Sequence, residues 1–537
     1  MRVLFPMTAL LSAGVMLAQQ APVFPTPAYF RHQFSMPQTH VELQAPVHLR
    51  DFVVNGKLTL SLHDYLDLVM ANNTDIAISR LNVETPRNNV WGAFGKFDPT
   101  LQFNLSAQRQ LTQSTRTLDG ATQVNSLTHN GGLTYSQMLS TGTTLTASLV
   151  DRRSSTNDRY ATFNPYHSGS LQLSFTQPLL RNRSPFIVRM PITLARSSLK
   201  KSEYDFRDSL LSQIQSAENA YWTVVGAREN LKVAQSNLAL KQEALKRANR
   251  ELELGASSPL DIYQPQSDVA TAEITVSTYQ FSLARAEDAL RKMIGADLDP
   301  EIRKLPIELT EGILPPADEA PVDPEAAVQK AMNLRPDLKS YNQSLDLDNL
   351  NIQNAQNLLR PQLDLTGTYT SSGVGGNQLI NGTMYPGGFN DFVSQVFGFN
   401  LPTYYMGFRL SFPIRDRANE AALANSMVKK RQDTLTLRTQ QQSVRLSVLN
   451  AVNNLESAKA QVKLAQVSVD LAQKQVDAEQ QKYDLGTEIM YFVLDAQNRL
   501  NSAKSNLVQQ IIAYQNARTS LLRQTGELLD ARGIVIK

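Results

Sequence analysis

The sequence predicts an α+β membrane protein in which long antiparallel coiled-coil hairpins join a transmembrane β-barrel, the whole plan internally duplicated. Three observations carry that expectation. A seven-residue apolar register runs through two long regions related by one fixed offset. A second offset relates shorter segments upstream of each region, and between them lie stretches of apolar and polar alternation. A period of seven is that of a coiled coil, and a period of two is that of strands with one apolar face.

Composition sets the bounds. The chain has 537 residues, 42% hydrophobic and 19% charged, enough for a large core. A net charge of +3 is too small for a nucleic-acid footprint over the whole chain. The absence of cysteine excludes disulfides, thiolate metal sites, a Cys nucleophile and a lipid-modified N-terminal Cys. Neither GxSxG nor HExxH occurs, and "GAFGKF" (92–97) lacks the spacing and the Ser/Thr of a phosphate loop. His32, His40 and His48 sit in a Pro-rich segment and read as solvated rather than as metal ligands. Hence no enzyme, cofactor or metal site is expected.

The opening "MRVLFPMTALLSAGVMLAQQ" has Arg2, an apolar run to Leu17 and then small and polar residues, the layout of a secretory signal peptide, read as 1–18 with a cut after Ala18. Residues 19–57 form a Pro-rich segment. No later run of about 18 apolar residues follows, so the remainder is soluble or crosses a membrane as strands.

The duplication sets the remaining elements. Gly255 in "RELELGASSPLD" (250–261) and Gly486 in "QKYDLGTEIMYF" (481–492) differ by 231. At that offset Ala217, Val224, Leu231, Leu238 and Leu245 meet Val448, Leu455, Val462, Val469 and Val476. Beyond the glycines, Ile262, Val269, Val276, Leu283 and Leu290 meet Val493, Leu500, Leu507, Tyr514 and Leu521. The spacing predicts helical hairpins over 196–295 and 418–526, the first helix on the order of 88 Å long at 1.5 Å per residue. Upstream, "NNTDIAISRLNV" (72–83) resembles "LRPDLKSYNQSL" (334–345), and "FDPTLQFNL" (97–105) resembles "LRPQLDLTG" (359–367), both at an offset of 262. Each repeat, 58–296 and 322–526, therefore reads as short helix, strands (99–178 and 361–414) and hairpin. A linker (297–321) joins them, and a tail (527–537) follows. Leu101, Phe103 and Leu105, then Leu145, Ala147 and Leu149, then Leu171, Leu173 and Phe175 alternate with polar residues, as do "LDLTGTY" (363–369) and "MGFRLSFP" (406–413). The Gly- and Ser/Thr-rich stretches 115–132 and 373–392 read as loops.

This ordered set resembles the TolC-like outer membrane efflux protein (OEP) family over nearly all of 58–526. The likeness rests on the duplicated order, on "LSFTQPLL" (173–180) and "LSFPI" (410–414), and on the two Leu-Gly tips. The resemblance implies a homotrimer whose strands close one shared barrel against outer membrane lipid, while its helices form a hollow α-helical barrel across the periplasm of a diderm bacterium. It implies the channel of a tripartite export system, docked to a periplasmic adaptor and an inner-membrane pump, for efflux of small molecules. A type I protein secretion channel and a periplasmic coiled coil with no pore stay open as other readings. The family's plan has four strands per chain, and four are expected here. Leu101 to Phe175 nevertheless holds up to four alternating segments, with "LSTGTT" (139–144) as a hairpin turn, so a hairpin is either added or projects.

The resemblance also assigns sites. Leu254, Gly255, Ala256, Ser257, Leu485, Gly486 and Thr487 match adaptor-docking tips, although the glycines also serve as plain helix C-caps. Ser257 or Ser258 before Pro259 reads as an N-cap that restarts the helix sharply, and Pro265, about two turns in, as a bend. Asp261, Tyr483 and Asp495 match aperture residues. Asp495 would form a ring of three carboxylates, or else is a solvated Asp at a helix start. Tyr483 is a seam residue or a closing bond toward Asp261. Glu488 stands where the family has Arg, and Phe492 where it has a second Asp, so the gate is expected to open more easily or to be latched by other contacts.

Overall fold

The computed structural model describes residues 48–114, 122–255, 258–312, 321–380 and 383–534. The expected signal peptide, most of the Pro-rich segment, and the tip residues Ala256 and Ser257 lie outside them.

Strands β1 (Val53–Val54) and β2 (Lys57–Leu60) form a hairpin. Ser61 then opens helix α1 (Leu62–Asn72) with a capping box, its Oγ accepting the Asp64 N–H at 3.1 Å. Asn73 caps α2 (Thr74–Ala93) by accepting from Asp75 and Ile76, and its Nδ2 donates to the Met293 carbonyl at 3.1 Å. One side chain thus starts a helix and pins it to the far end of the first hairpin.

Four strands follow, β3 (Thr100–Gln113), β4 (Gln123–Met138), β5 (Thr144–Thr156) and β6 (Phe163–Pro178). The short α3 (Pro185–Val188) leads into α4 (Met190–Glu253), 64 residues long, and α5 (Tyr263–Met293) returns. The stretch read as a linker carries β7 (Ile307–Leu309), which pairs parallel with β2, Leu58 opposite Ile307. Then come α6 (Pro324–Leu334), α7 (Pro336–Leu358), β8 (Gln362–Ile380), β9 (Thr383–Tyr385), α8 (Phe389–Phe397) and β10 (Pro402–Ser411). The 68-residue α9 (Arg417–Asp484), α10 (Met490–Thr525) and the short α11 (Leu528–Ala531) close the chain. Among the described residues no helix is long and apolar enough to cross a membrane.

Two cores sit at mid-length of the long helices. One packs Leu58, Leu60, Tyr65, Ile214, Tyr221 and Leu290 around the three-stranded sheet, and the other packs Val328, Ala331, Val444, Val448, Val452 and Ile511 under α6. The heptad residues Val448, Leu455 and Val462 are buried, while Val469 and Val476, nearer the tip, are half-buried.

The large sheet corrects the expected strand count. Its order is β10-β8-β6-β5-β4-β3, with β9 on the end of β8, so the chain contributes six long antiparallel strands rather than four. Register is continuous from Thr100 opposite Ser136 to Thr146 opposite Ser174, so the additional hairpin lies in the sheet and does not project from it. The loop reading of 115–132 and 373–392 is corrected as well, since β4 takes residues from 123 onward and β8 runs to 380, with α8 beginning at 389. The glycines that signalled a loop serve close packing instead. A Cβ on Gly375 would fall 2.2 Å from the Gly388 carbonyl oxygen, and one on Gly373 would fall 2.7 Å from that of Phe392.

Register also sorts the side chains. One row across the sheet is Leu101, Tyr135, Ala147, Leu173, Tyr369 and Tyr404, and the adjacent row is Gln102, Thr134, Ser148, Gln172, Thr370 and Thr403. Because strand side chains alternate between faces, the first row belongs to one face and the second to the other. The apolar face is uncovered in the single chain: Phe103, Leu105, Met406 and Phe408 are each at least 66% exposed.

Candidate functional site: the paired hairpin tips

Helix α9 ends because Gly486 adopts φ +73°, a left-handed conformation that costs other residues a Cβ clash. The Gly486 N–H donates to the Tyr483 carbonyl at 2.9 Å and the Thr487 N–H to the Lys482 carbonyl at 3.0 Å, the pair of bonds that makes a Schellman cap. Helix α4 also ends at a left-handed glycine, Gly255 at φ +70°, whose N–H donates to the Leu252 carbonyl at 3.0 Å. Capping thus accounts for both glycines. It does not account for their neighbours, since Leu254 and Leu485 are 83% and 79% exposed, with Thr487 also exposed.

The return helices differ. Helix α10 starts at Met490, but α5 starts only at Tyr263, after a turn over residues 259–262. This corrects the sharp restart expected at Pro259 and the position expected for Pro265. Proline has no N–H to give and its ring disfavours a helical carbonyl four residues earlier, so the helix begins late enough to place Pro265 in its first turn, where no intrahelical donor is needed. Ser258 acts in the turn: its Oγ accepts the Leu260 N–H at 3.3 Å, and its own N–H donates to Asp261 Oδ2 at 3.0 Å.

Asp261, Tyr483 and Glu488 line one cavity of about 470 Å³ between the hairpins, together with Arg247, Glu251 and Pro265. Phe492 and Asp495 do not line it. Phe492 packs edge-on against Tyr491, ring centroids 5.6 Å apart, and Asp495 is paired with Arg499 at 2.8 Å. Tyr483 is half-buried and its hydroxyl donates to Glu251 Oε1 at 3.1 Å, across from one hairpin to the other. Burial first, then the hydrogen bond and charge of Glu251, raise the Tyr483 pKa, so the hydroxyl keeps its proton and remains a donor.

Sequence reasoning missed Glu251 and Arg247. They lie one helical turn apart on α4, but nothing in "RANRELEL" (247–254) separates Glu251 from Glu253; only the rotation of α4 against α9 does. Lower on the same hairpin, Lys241 is buried and pairs with Asp268 at 3.4 Å, while Gln264 donates to the other Asp268 oxygen at 2.8 Å, which ties the turn to the hairpin stem.

The profile of the outer membrane efflux protein family matches residues 65–296 and 327–527. The Pseudomonas putida protein named "Probable efflux pump outer membrane protein TtgC" is 23% identical over 339 residues, a stretch covering 63% of this chain and 65% of that protein's length. Among solved structures, a membrane protein from Pseudomonas aeruginosa superposes with a TM-score of 0.63 at 17% identity, over 94% of this chain and 100% of that one. The Campylobacter jejuni CmeC outer membrane channel superposes at 0.62 and 16% identity, over 92% and 91% of the respective chains. At these identities the superpositions speak to the fold. With the profile spanning most of its length in two segments, the chain belongs to the outer membrane efflux protein family.

Proposed function

We propose that the chain is one third of a trimeric outer membrane channel, the exit duct of a tripartite export system that expels small molecules. One observation carries the reading: a sheet sorted row by row into an apolar and a hydroxyl/amide face, continuous with two helical hairpins whose long helices, α4 and α9, each run roughly 100 Å at 1.5 Å per residue. The apolar face meets lipid and the other lines water.

A lipid-exposed sheet leaves no edge unpaired. Here β3 and β10 are both edges, and the alternation of six strands makes them antiparallel. Strand β10 of one copy pairs with β3 of the next, and six strands from each of three copies close an eighteen-stranded wall. Its diameter is about half again that of a wall with four strands per chain, since diameter grows roughly in proportion to strand number. The helices support the same assembly, because Ile274, Phe281, Leu464 and Leu471 are all at least 60% exposed along the hairpins and need a neighbour to cover them. The duplicated hairpins, two per copy, tile a tunnel through the periplasm.

At the tunnel's end Leu254, Gly255, Leu485, Gly486 and Thr487, with Ala256 and Ser257, dock the adaptor, and the inner-membrane pump supplies the energy. The chain performs no chemistry of its own. The aperture is latched inside each copy by Tyr483 and Glu251 instead of Tyr483 and Asp261. Asp495 contributes to the ring with its charge shared by Arg499.

The cysteine-free sequence allows a direct test. One cysteine replaces Thr403 on β10 and a second is scanned along Gln102, Asn104, Ser106 and Gln108 on β3. Oxidation of the purified channel is expected to yield covalent dimers and trimers at one register. Conductance in a planar bilayer without any cross-link along the scan overturns the eighteen-stranded closure, and no conductance at all overturns the channel.

A further inference from the structure

Above the point where β10 stops, β8 stays paired with β6 on one side, its other edge is without a strand until β9 joins at Gln378, and α8 folds back over that gap. The Ser372 N–H donates to the Leu401 carbonyl at 3.2 Å, the Val374 N–H to Gln395 Oε1 at 3.1 Å, and Ser371 Oγ to the Val396 carbonyl at 2.7 Å. The helix therefore stands in for the missing strand along an otherwise open edge.

Its placement on the sheet is settled by register. Ser371, Gly373 and Gly375 fall on the same face of β8 as Leu365 and Tyr369, and His167, which stacks on Phe392 with centroids 6.4 Å apart, falls on the same face of β6 as Leu171 and Leu173. Helix α8 thus lies on the apolar face of the sheet, just beyond its apolar rows. Phe392 and Val396 are its buried contacts with the strands. Phe389 borders that contact, edge-on to His167 with centroids 5.3 Å apart and 5.9 Å from Phe392, while Val393 and Phe397, each one residue beyond a buried position, are turned about 100° away from it. Phe389 and Phe397 are 52% and 51% exposed, and they continue into exposed Phe399 and Leu401. Tyr369 lies against both Phe399 and Tyr404, centroids 6.0 and 5.2 Å away, so this exposed apolar surface runs without a break into the aromatic rim of the apolar rows. The remaining face carries Asn390, Asp391 and Ser394, all exposed.

We propose that α8 is a lipid-seated strap: it covers the β8 edge and sets Phe389, Phe397, Phe399 and Leu401 into the boundary between acyl chains and headgroups of the membrane's outer surface. A helix with one face on protein, one apolar flank and one polar flank is suited to that boundary and to neither bulk phase. Aromatic residues at the rim of an apolar band occupy the same level. The strap rests on the channel reading, and its test separates the two.

In a Trp91→Phe background, Phe397→Trp and Phe408→Trp are reconstituted separately into vesicles of phosphatidylcholine brominated near the headgroup or deep in the acyl chain. Phe397→Trp fluorescence is expected to be quenched, more by the shallow bromines, and Phe408→Trp to be quenched more by the deep ones. Quenching of Phe408→Trp alone shows that a neighbouring copy or another part of the protein covers α8, and overturns the strap. Loss of quenching in both overturns the strap and the channel together.

Discussion

Tyr483 and Asp348 show how single side chains depend on what faces them. The Tyr483 hydroxyl bridges the two hairpins through Glu251, so Tyr483→Phe removes the bond with little change of shape. A typical hydrogen bond contributes a net of about 1 kcal/mol, so under the trimeric channel proposed above the expected effect is a several-fold rise in resting conductance with assembly unchanged. An unchanged conductance would mean that other contacts hold the aperture. Asp348 is buried on α7, with Oδ2 lacking a hydrogen-bond partner, and faces Asp433, which is itself held by Lys429 at 2.6 Å. Burial first, then the Asp433 carboxylate, raise the Asp348 pKa. For a carboxyl raised in the folded state, the sign is clear: the folded chain binds the extra proton, so stability is full below the unfolded value of about 4 and falls as pH climbs through the raised value. Asp348→Asn stays neutral throughout, and its melting temperature in detergent should match that of the parent near pH 4 and exceed it at pH 7.5, by the equivalent of about 1 kcal/mol.

Among the elements, the two return helices carry nearly the same pattern and begin a turn apart. Pro265 and Ala496 occupy the same place, 231 residues apart, and only the proline forces a late start. Pro265→Ala is expected to extend α5 toward residue 259 with little change in stability. Ala496→Pro places proline inside α10, where it removes a donor and clashes with the preceding turn, and should cost about 3 kcal/mol or more. Thermal melts of both variants, with tip exposure read by limited proteolysis, check the pair. The heptads were legible because each apolar residue reports its own side of a helix. The segment 373–392 was not, because glycine at close quarters and glycine in a loop are written with the same letter. What separates them is α8, packed onto Gly373 and Gly375 from further along the chain.

Across the whole molecule, Glu218 joins chain segments that no local pattern connects. It is fully buried on α4, accepts Thr519 Oγ1 from α10 at 2.7 Å, and pairs with Arg532 beyond α11, whose Nε lies at 3.0 Å. Glu218→Ala leaves the Arg532 guanidinium largely buried without its charge partner and should cost about 3–5 kcal/mol, whereas replacing both residues with leucine should cost less than either single change. Melting temperatures around that double-mutant cycle test the coupling. By itself the sequence determined the long helices, the positions of both capping glycines and the existence of alternating strands. Each of those is written in a period that a side chain carries along its own segment. Only the tertiary structure decided that six strands share one sheet, that β7 joins β2, that Tyr483 meets Glu251, and that α8 lies on the apolar face. A strand's period states which way its side chains point but not whose edge its backbone will join, and partners far apart in sequence are chosen by the packing of the whole chain.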